Sequence, residues 1–597
     1  LVLLLLTLAL PLLTAVLLSL VSARSEGVHR VGAFVGSLLT FLVSLGLWFS
    51  FDKSTPGFQF VLDVPWISSL DIGVRFGLDG MSLLMVVLTT LIMPIAIITS
   101  WNSIKDRSKL YYSMLLVLQF GLVGVFASLD TFLFYVFWEV ILIPMYFLIG
   151  IWGGKDRIYA SMKFFIYTMA GSLLMLVAII WLGNYATGTP TGFTTDLRKL
   201  MVIAPSIPLG PQGWLFLAFA LSFCIKVPVF PLHTWLPDAH TQAPTAGSVV
   251  LAAVMLKMGT YGLIRFNLQL FPDASQQYAD LISLLAVIGV IYGALLAMVQ
   301  TDIKKLVAYS SIAHLGFVVL GIFSMTVEGV QGAIIQNVNH GLSTGMLFML
   351  IGFVYDRKHT REMKDYGGLA RSMPVFAVFF AIAVFSSVGL PGLNGFVGEY
   401  LSLIGAYTST HLGSKWYAIV AASGVILAAV YLLILFQRIF FGPITHEENR
   451  KLKDLTPLEI GVLVPMVILC VWIGFQPNTF LSVSESSSRA VVGMIEMRKG
   501  AATPYAAEAQ LRLRDIAMNG VGVAGTDTTK STMPGATLQQ EMPGAPALPL
   551  SRPGENTEPM RVSPLPGTPA APASRSGGSV PPPAGAAVSP APPPGSR

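Results

Sequence analysis

Four ionisable side chains stand in the middle of long apolar runs. Glu139 lies in FLFYVFWEVILIPMYFLIG, Lys226 in LAFALSFCIKVPVFPLHTWLPDAH, Lys257 in VVLAAVMLKMGTYGLIRF and Glu399 in VFSSVGLPGLNGFVGEYLSLIGAY. Placing a charge at membrane depth costs about 2.5–3.5 kcal/mol on insertion scales, so such residues point first to an ion or proton path. Lysine suits proton carriage. Desolvation disfavours its charged form and a nearby carboxylate restores it, so an acid that approaches or retreats switches the lysine between holding and releasing a proton. Glu139 and Lys226 are the expected modulating pair. The competing reading is structural: two acids and two lysines balance, and static ion pairs could simply fix helix register. Snorkelling to the interface fits poorly with Lys226 and Lys257, which stand near mid-run.

Histidines supply candidate relay stations. His233 follows Lys226 by seven residues, which on a regular helix puts both on one face. His314 in AYSSIAHLGFVVL and His340 in IIQNVNHGLSTGML stand in two further apolar runs, and Lys304 and Lys305 open the run that holds His314. A lone histidine in an apolar helix is as readily a hydrogen-bonded packing residue. His240, in PDAHTQAPTAG, is expected to cap or brace a turn. Pro228 and Pro231 follow Lys226, and Gly389, Pro391, Gly392 and Gly395 precede Glu399. Proline removes a backbone donor, and in a membrane a broken helix is tolerated only where the freed backbone is buried in protein or lines a wet cavity.

The elements that must position these groups are membrane helices. The chain of 597 residues is 54% hydrophobic and 11% charged, with mean hydropathy +0.70, against roughly 25% charged residues in soluble domains. Runs of the length needed to cross a bilayer predict fourteen helices, over 2–22, 31–50, 79–100, 111–129, 132–151, 161–184, 213–236, 245–266, 280–300, 308–325, 332–354, 374–408 (interrupted), 416–441 and 457–476. Leu1–Leu20 lacks a basic leader and reads as a first membrane helix rather than a signal peptide. The net charge of +6 reflects basic residues in short loops, and implies orientation rather than nucleic-acid binding. Loops after odd-numbered helices carry eighteen of these Lys and Arg residues, and those after even-numbered helices six. The odd loops are therefore expected in the cytoplasm and both termini on the opposite face.

Broken helices 7 and 12 are five apart, as in inverted-repeat transporters. The expected architecture is all-α: helices 1–3 over residues 1–100, one five-helix unit (helices 4–8) over 111–266, an inverted second (helices 9–13) over 280–441, and helix 14 over 457–476. Residues 500–597 form a Pro/Ala/Gly-rich tail expected to be disordered, with 17 of the 38 prolines after residue 533. A short helix is read over 506–518. Cys224 and Cys470 stand in apolar runs and read as small buried thiols, not a disulfide or cluster site. Phosphate-cradling glycine loops, metal-ligand spacing and nucleophilic triads are absent, so no redox cofactor is expected in this chain.

The segments KVPVFPLHTWLPDAHTQAPTAGSVVLAAVMLKMGTYGLIR, DIKKLVAYSSIAHLGF and SSVGLPGLNGFVGEYL resemble the proton-conducting, antiporter-like membrane subunits of respiratory complex I (NADH:quinone oxidoreductase). Mrp-type cation/proton antiporters and membrane-bound hydrogenases share this module, and the resemblance covers roughly residues 75–475. It implies that Glu139 pairs with Lys226, that Lys257 sits centrally, and that Glu399 serves the exit side. In this family the subunit called M (ND4-type) carries glutamate on broken helix 12, where its two antiporter-like neighbours carry lysine, and Glu399 is similar to that type. The resemblance further implies flavin mononucleotide, iron–sulfur clusters and quinone in partner subunits. It also implies neighbouring membrane subunits, two of them antiporter-like, surrounding lipid, and a bacterial inner-membrane location.

Overall fold

An apolar segment in lipid must satisfy its own backbone hydrogen bonds, and these runs do so as helices. The computed structural model describes residues 1–500 and 503–519. Among them thirteen helices are long and apolar enough to cross a membrane. In chain order the crossings begin with α1 (Val2–Leu20), α2 (Glu26–Ser50), α3 (Gly80–Thr99), α4 (Ser108–Ala127), α5 (Thr131–Trp152) and α6 (Arg157–Tyr185). The chain continues through α7a (Leu209–Lys226), α7b (Trp235–Gln242), α8 (Thr245–Leu268), α9 (Pro272–Met298), α10 (Ile303–Phe323) and α11 (Val327–Lys358). The interrupted crossing is split into α12a (Pro374–Val388) and α12b (Asn394–Thr408), each too short to span alone, before α13 (Trp416–Phe440) and α14 (Pro457–Phe475). The fourteen expected crossings are thus present, the twelfth as two half-helices.

Each irregularity has a local cause. Pro228 offers no N–H to the Cys224 carbonyl, which accepts instead from Val229 at 2.9 Å. The Ile225 carbonyl, freed at the same place, accepts from the Trp235 indole at 2.8 Å, so α7b closes the end of α7a. In the second break Gly389 adopts φ +82°, a left-handed turn that suits glycine. Two irregularities have no counterpart in the sequence reading. α5 is jointed between Val140 and Leu142, where Pro144 lacks the donor for the Val140 carbonyl. α8 contains two π-helical stretches, Leu251–Met255 and Leu263–Leu268, on either side of Lys257; such wide turns recur at functional sites.

Between α2 and α3 the chain forms an antiparallel hairpin, β1 (Gln59–Ile67) and β2 (Ile72–Leu78). Arg75 binds Asp63 at 2.9 Å, Asp71 at 2.5 Å and Asp130 at 2.9 Å, while Arg198 joins Asp63 to Asp196. Burial opposes the charged form of Asp63, but hydrogen bonds and charge from Arg198 and Arg75 outweigh it and hold the carboxyl below its usual range. Asp130 also caps α5, accepting from the N–H groups of Phe132 and Leu133 at 3.0 and 3.1 Å. The hairpin is thereby pinned to the start of the helix that carries Glu139.

After α14, α15 (Asn478–Arg498) packs along α3 and α11, and α16 (Pro504–Asn519) folds back on α15 and on the short helix Leu197–Ile203. α16 contains the helix expected over 506–518, so the predicted tail boundary at residue 500 is too early. The remainder of the expected disordered tail lies outside the described residues. Cys224 and Cys470 are buried free thiols.

Candidate functional site

α10 and α11 are buried almost throughout, so their histidines face protein rather than lipid. α11 approaches α8 closely because residue 341 is glycine: a Cβ there would stand 2.9 Å from the Ala253 carbonyl. That approach brings His340 Nδ1 to 2.7 Å from Lys257 Nζ. Lys257 is fully buried and its Nζ also donates to the Ala252 carbonyl, in the first π turn. One proton lies between amine and imidazole. A charged Lys257 donates to Nδ1; a neutral one donates or accepts according to the imidazole tautomer.

The His340 and His314 rings are 6.0 Å apart between centroids. His314 Nδ1 donates to Glu399 Oε1 at 2.7 Å, and Gln336 Nε2 donates to the same oxygen at 3.1 Å. Tyr431 OH is 3.3 Å from His314 Nε2. Glu399 is 3% exposed and its second oxygen faces Gly389 in the α12 break. Four side chains from α8, α11, α10 and α12b thus form one line, Lys257–His340–His314–Glu399.

Lys226 is the last residue of α7a and is fully buried. Its Nζ has no hydrogen-bond partner among the described residues. It lies 5.5 Å from the Trp138 ring centroid and 5.2 Å from that of Phe164, contacts of cation–π type. Glu139, next to Trp138 and at the α5 joint, adjoins Tyr135 and Ser172 and lies within electrostatic reach of Lys226. The two charged groups are within electrostatic reach without being bonded.

The remaining candidates scatter. His233 does not share a helical face with Lys226, because α7a stops at Lys226; it sits in the break, stacked on Phe230 and edge-on to Tyr292. Pro228 and Pro231 lie in that break, and Pro391 and Gly392 in the α12 break. Lys305 lines a polar cleft of about 640 Å³ with Asp156, Asp238, Asp302 and Glu362. Lys304 and Phe348 line an adjoining cleft of about 550 Å³, where Lys304 Nζ donates to the Ala243 carbonyl at 2.6 Å. Both clefts open among loops that follow odd-numbered crossings. His240 does not brace the turn through its ring: the ring stacks on Phe348 at 4.5 Å, neither nitrogen has a partner among the described residues, and the turn is closed by the His240 carbonyl accepting from Ser248. It stands within electrostatic reach of both Lys304 and Lys257. Only its burial, invisible in sequence, distinguishes it. Among the described residues no group of three or more His, Cys, Asp and Glu is placed to hold a metal.

A family model described as NADH:quinone oxidoreductase/Mrp antiporter, TM, matches residues 128–429. NADH-quinone oxidoreductase subunit M of Rhodobacter capsulatus is 45% identical over 484 residues, 79% of this chain and 92% of that one. The chain belongs to the NADH-quinone oxidoreductase subunit M family. A chain of respiratory complex I from Thermus thermophilus with bound NADH matches this one with a TM-score of 0.74 at 32% identity, covering 83% of this chain and 99% of its own length. A chain of the Mrp complex from Dietzia sp. DQ12-45-1b, at TM-score 0.71 and 20% identity, covers 82% of this chain and 98% of its own length, a likeness of fold alone.

Proposed function

We propose that this chain carries protons through complex I by way of Lys304, His240, Lys257, His340, His314 and Glu399, coupled to quinone reduction in other subunits. The observation that carries the reading is the line of four titratable side chains with bonds of 2.7 Å at each end and a ring-to-ring gap of 6.0 Å between, a gap a single water can bridge. Protons enter from the two polar clefts beside Lys304 and Lys305, pass His240, and reach the Lys257–His340 pair. Transfer to His314 leaves Lys257 ready to be refilled, and Glu399 then takes the proton into the α12 break. One turn farther along α12b, the unbonded Ser402 hydroxyl continues the path. His233 serves the break itself rather than the line.

Glu139 and Lys226 act as the control element. Moving Glu139 toward Lys226 stabilises the ammonium and moving it away releases the proton; the α5 joint at Ile141 supplies a hinge. The broken α7 and α12 belong to two inverted five-helix units over 111–266 and 280–441, flanked by the N-terminal helices (1–100) and α14. The clefts face the cytoplasm and both termini the outer side of a bacterial inner membrane. Partners are the other membrane subunits, two of them antiporter-like, and lipid, while flavin mononucleotide, iron–sulfur clusters and quinone reside in partner subunits.

A scaffold built on static ion pairs would hold each lysine against a carboxylate. Among the described residues Lys226 has no bonded partner, and Lys257 bonds a carbonyl and an imidazole. Lys226→Ala and Glu139→Ala test the reading in the assembled complex. Both variants are expected to lose most coupled proton pumping while the complex still assembles; normal pumping by both would favour the scaffold.

A further inference from the structure

The amides beside the α12 break form a chain of hydrogen bonds that runs in one direction. Asn339 of α11 and Asn394, the first residue of α12b, are fully buried. Asn339 Nδ2 donates to the Asn394 carbonyl at 2.7 Å, and Asn394 Nδ2 donates back to the Asn339 carbonyl at 3.3 Å. A main-chain carbonyl can only accept, so each side-chain amide is fixed with its nitrogen toward the other's backbone. Ser386 of α12a donates to Asn394 Oδ1 at 2.5 Å. Asn339 Nδ2 also donates to Gln336 Oε1 at 3.3 Å, and Gln336 Nε2 donates to Glu399 Oε1 at 3.1 Å. Turning Gln336 over would set N–H against N–H at Asn339 and oxygen against the Glu399 carboxylate, so both ends hold it one way round. Gly398 makes room for it, since a Cβ there would collide with Gln336 Oε1.

Asn339 Oδ1 has no partner among the described residues. A buried acceptor left unmet destabilises the fold, so stability alone does not account for an asparagine at 339; its N–H groups supply direction. That direction decides where Glu399 can hold a proton. Oε1 accepts from Gln336 and also from His314 Nδ1, at 2.7 Å. A carboxylate oxygen offers two lone pairs, and both are then occupied. A proton passed from His314 arrives on Oε1; once His314 is protonated again, that oxygen has no site left for it. The proton is then held on Oε2, which faces Gly389 in the break. Without the Gln336 donor, Oε1 keeps a free lone pair and the proton can stay beside His314.

We propose that Asn339, braced by Asn394, is a positioning residue that holds the Gln336 N–H toward Glu399, so that Glu399 carries its proton on Oε2, on the side of the α12 break. The proposal rests on Glu399 lying on the proton route. The test is the infrared difference spectrum of the whole complex on reduction by NADH, in which the carboxyl C=O band of protonated Glu399 is the one lost in Glu399→Gln. Gln336→Met keeps length without the donor, and Asn339→Leu leaves Gln336 free to turn. Each is expected to shift that band to higher wavenumber, because the C=O oxygen, Oε1, loses a donor, and to lower the protons released per NADH. Ser386→Ala removes one bond of the network but leaves both asparagine amides fixed by main-chain carbonyls, and is expected to keep the band in place. An unshifted band in both Gln336→Met and Asn339→Leu would overturn the proposal. So would an equal shift in Ser386→Ala, which would make the network a packing device, or the loss of no carboxyl band in Glu399→Gln. Proton release by Glu399→Gln reports separately on the route: a lowered yield there, with an unshifted band in Gln336→Met and Asn339→Leu, would reject the orientation and keep the route.

Discussion

Glu399→Gln changes the end of the proton line while hardly changing its shape. The glutamate accepts from His314 at 2.7 Å and from Gln336 at 3.1 Å through one oxygen, and its other oxygen faces a glycine that leaves room for an amide. A hydrogen bond to a charged group contributes about 1.5–3 kcal/mol and a neutral one about 0.5–1.5. A protonated His314 therefore loses about 1–2 kcal/mol of stabilisation, close to a tenfold drop in its population. The amide also cannot take the proton onward, so flow through this branch stops even where His314 is charged. The assay is proton release per NADH oxidised by the complex in sealed vesicles. The expected result is a lower proton yield with the subunit still assembled. Glu399→Asp keeps the charge but withdraws it by about 1.5 Å and should fall between the two. A wild-type yield at wild-type rate in Glu399→Gln would refute the assignment of Glu399 to the exit.

Two further expectations concern the frame around the site. Arg198→Met strands Asp196, which is 1% exposed, and removes one of two arginines on Asp63; the loss should approach the roughly 3–5 kcal/mol of a broken buried pair, softened because Arg75 remains 3.5 Å from Asp196. It would show as faster proteolysis of the 59–78 hairpin, and unchanged cleavage would count against the network. Between α12b and α13, burial and then the nearby Lys499 charge hold His411 down at about 4. Because that lies below the usual 6.5, its support for the fold is complete above pH 6.5 and is lost as pH falls toward 4. Hydrogen exchange across 409–415 should accelerate over that window, and a flat profile would contradict it.

What the sequence revealed is what composition and local chemistry encode. Glu139, Lys226, Lys257 and Glu399 announce themselves as charges in apolar runs, and Pro228 and Gly389 mark the breaks beside two of them. The bonds of the site join residues 83 and 85 positions apart, and no periodicity within one helix specifies them. Reading His233 by helical spacing failed because Pro228 ends the helix on which the spacing depended. The joint in α5 had a visible signal in Pro144. The hairpin at 59–78 was hidden by Pro65 inside its first strand, a residue that argues against strand, and the π turns around Lys257 by a stretch without proline. Arg512, in a stretch of the expected tail where a short helix is read, is buried by α16 against Asp79, a long-range contact that the local sequence does not specify.

The central claim is that Lys257 must release a proton and not merely carry a charge. Protons translocated per NADH oxidised, measured for Lys257→Met and Lys257→Arg in reconstituted complex, test this most directly, since arginine stays charged at any working pH. Both variants are expected to lower the ratio to a similar extent. A wild-type ratio in Lys257→Arg would show that fixed charge suffices, and a wild-type ratio in both would contradict the proton line altogether.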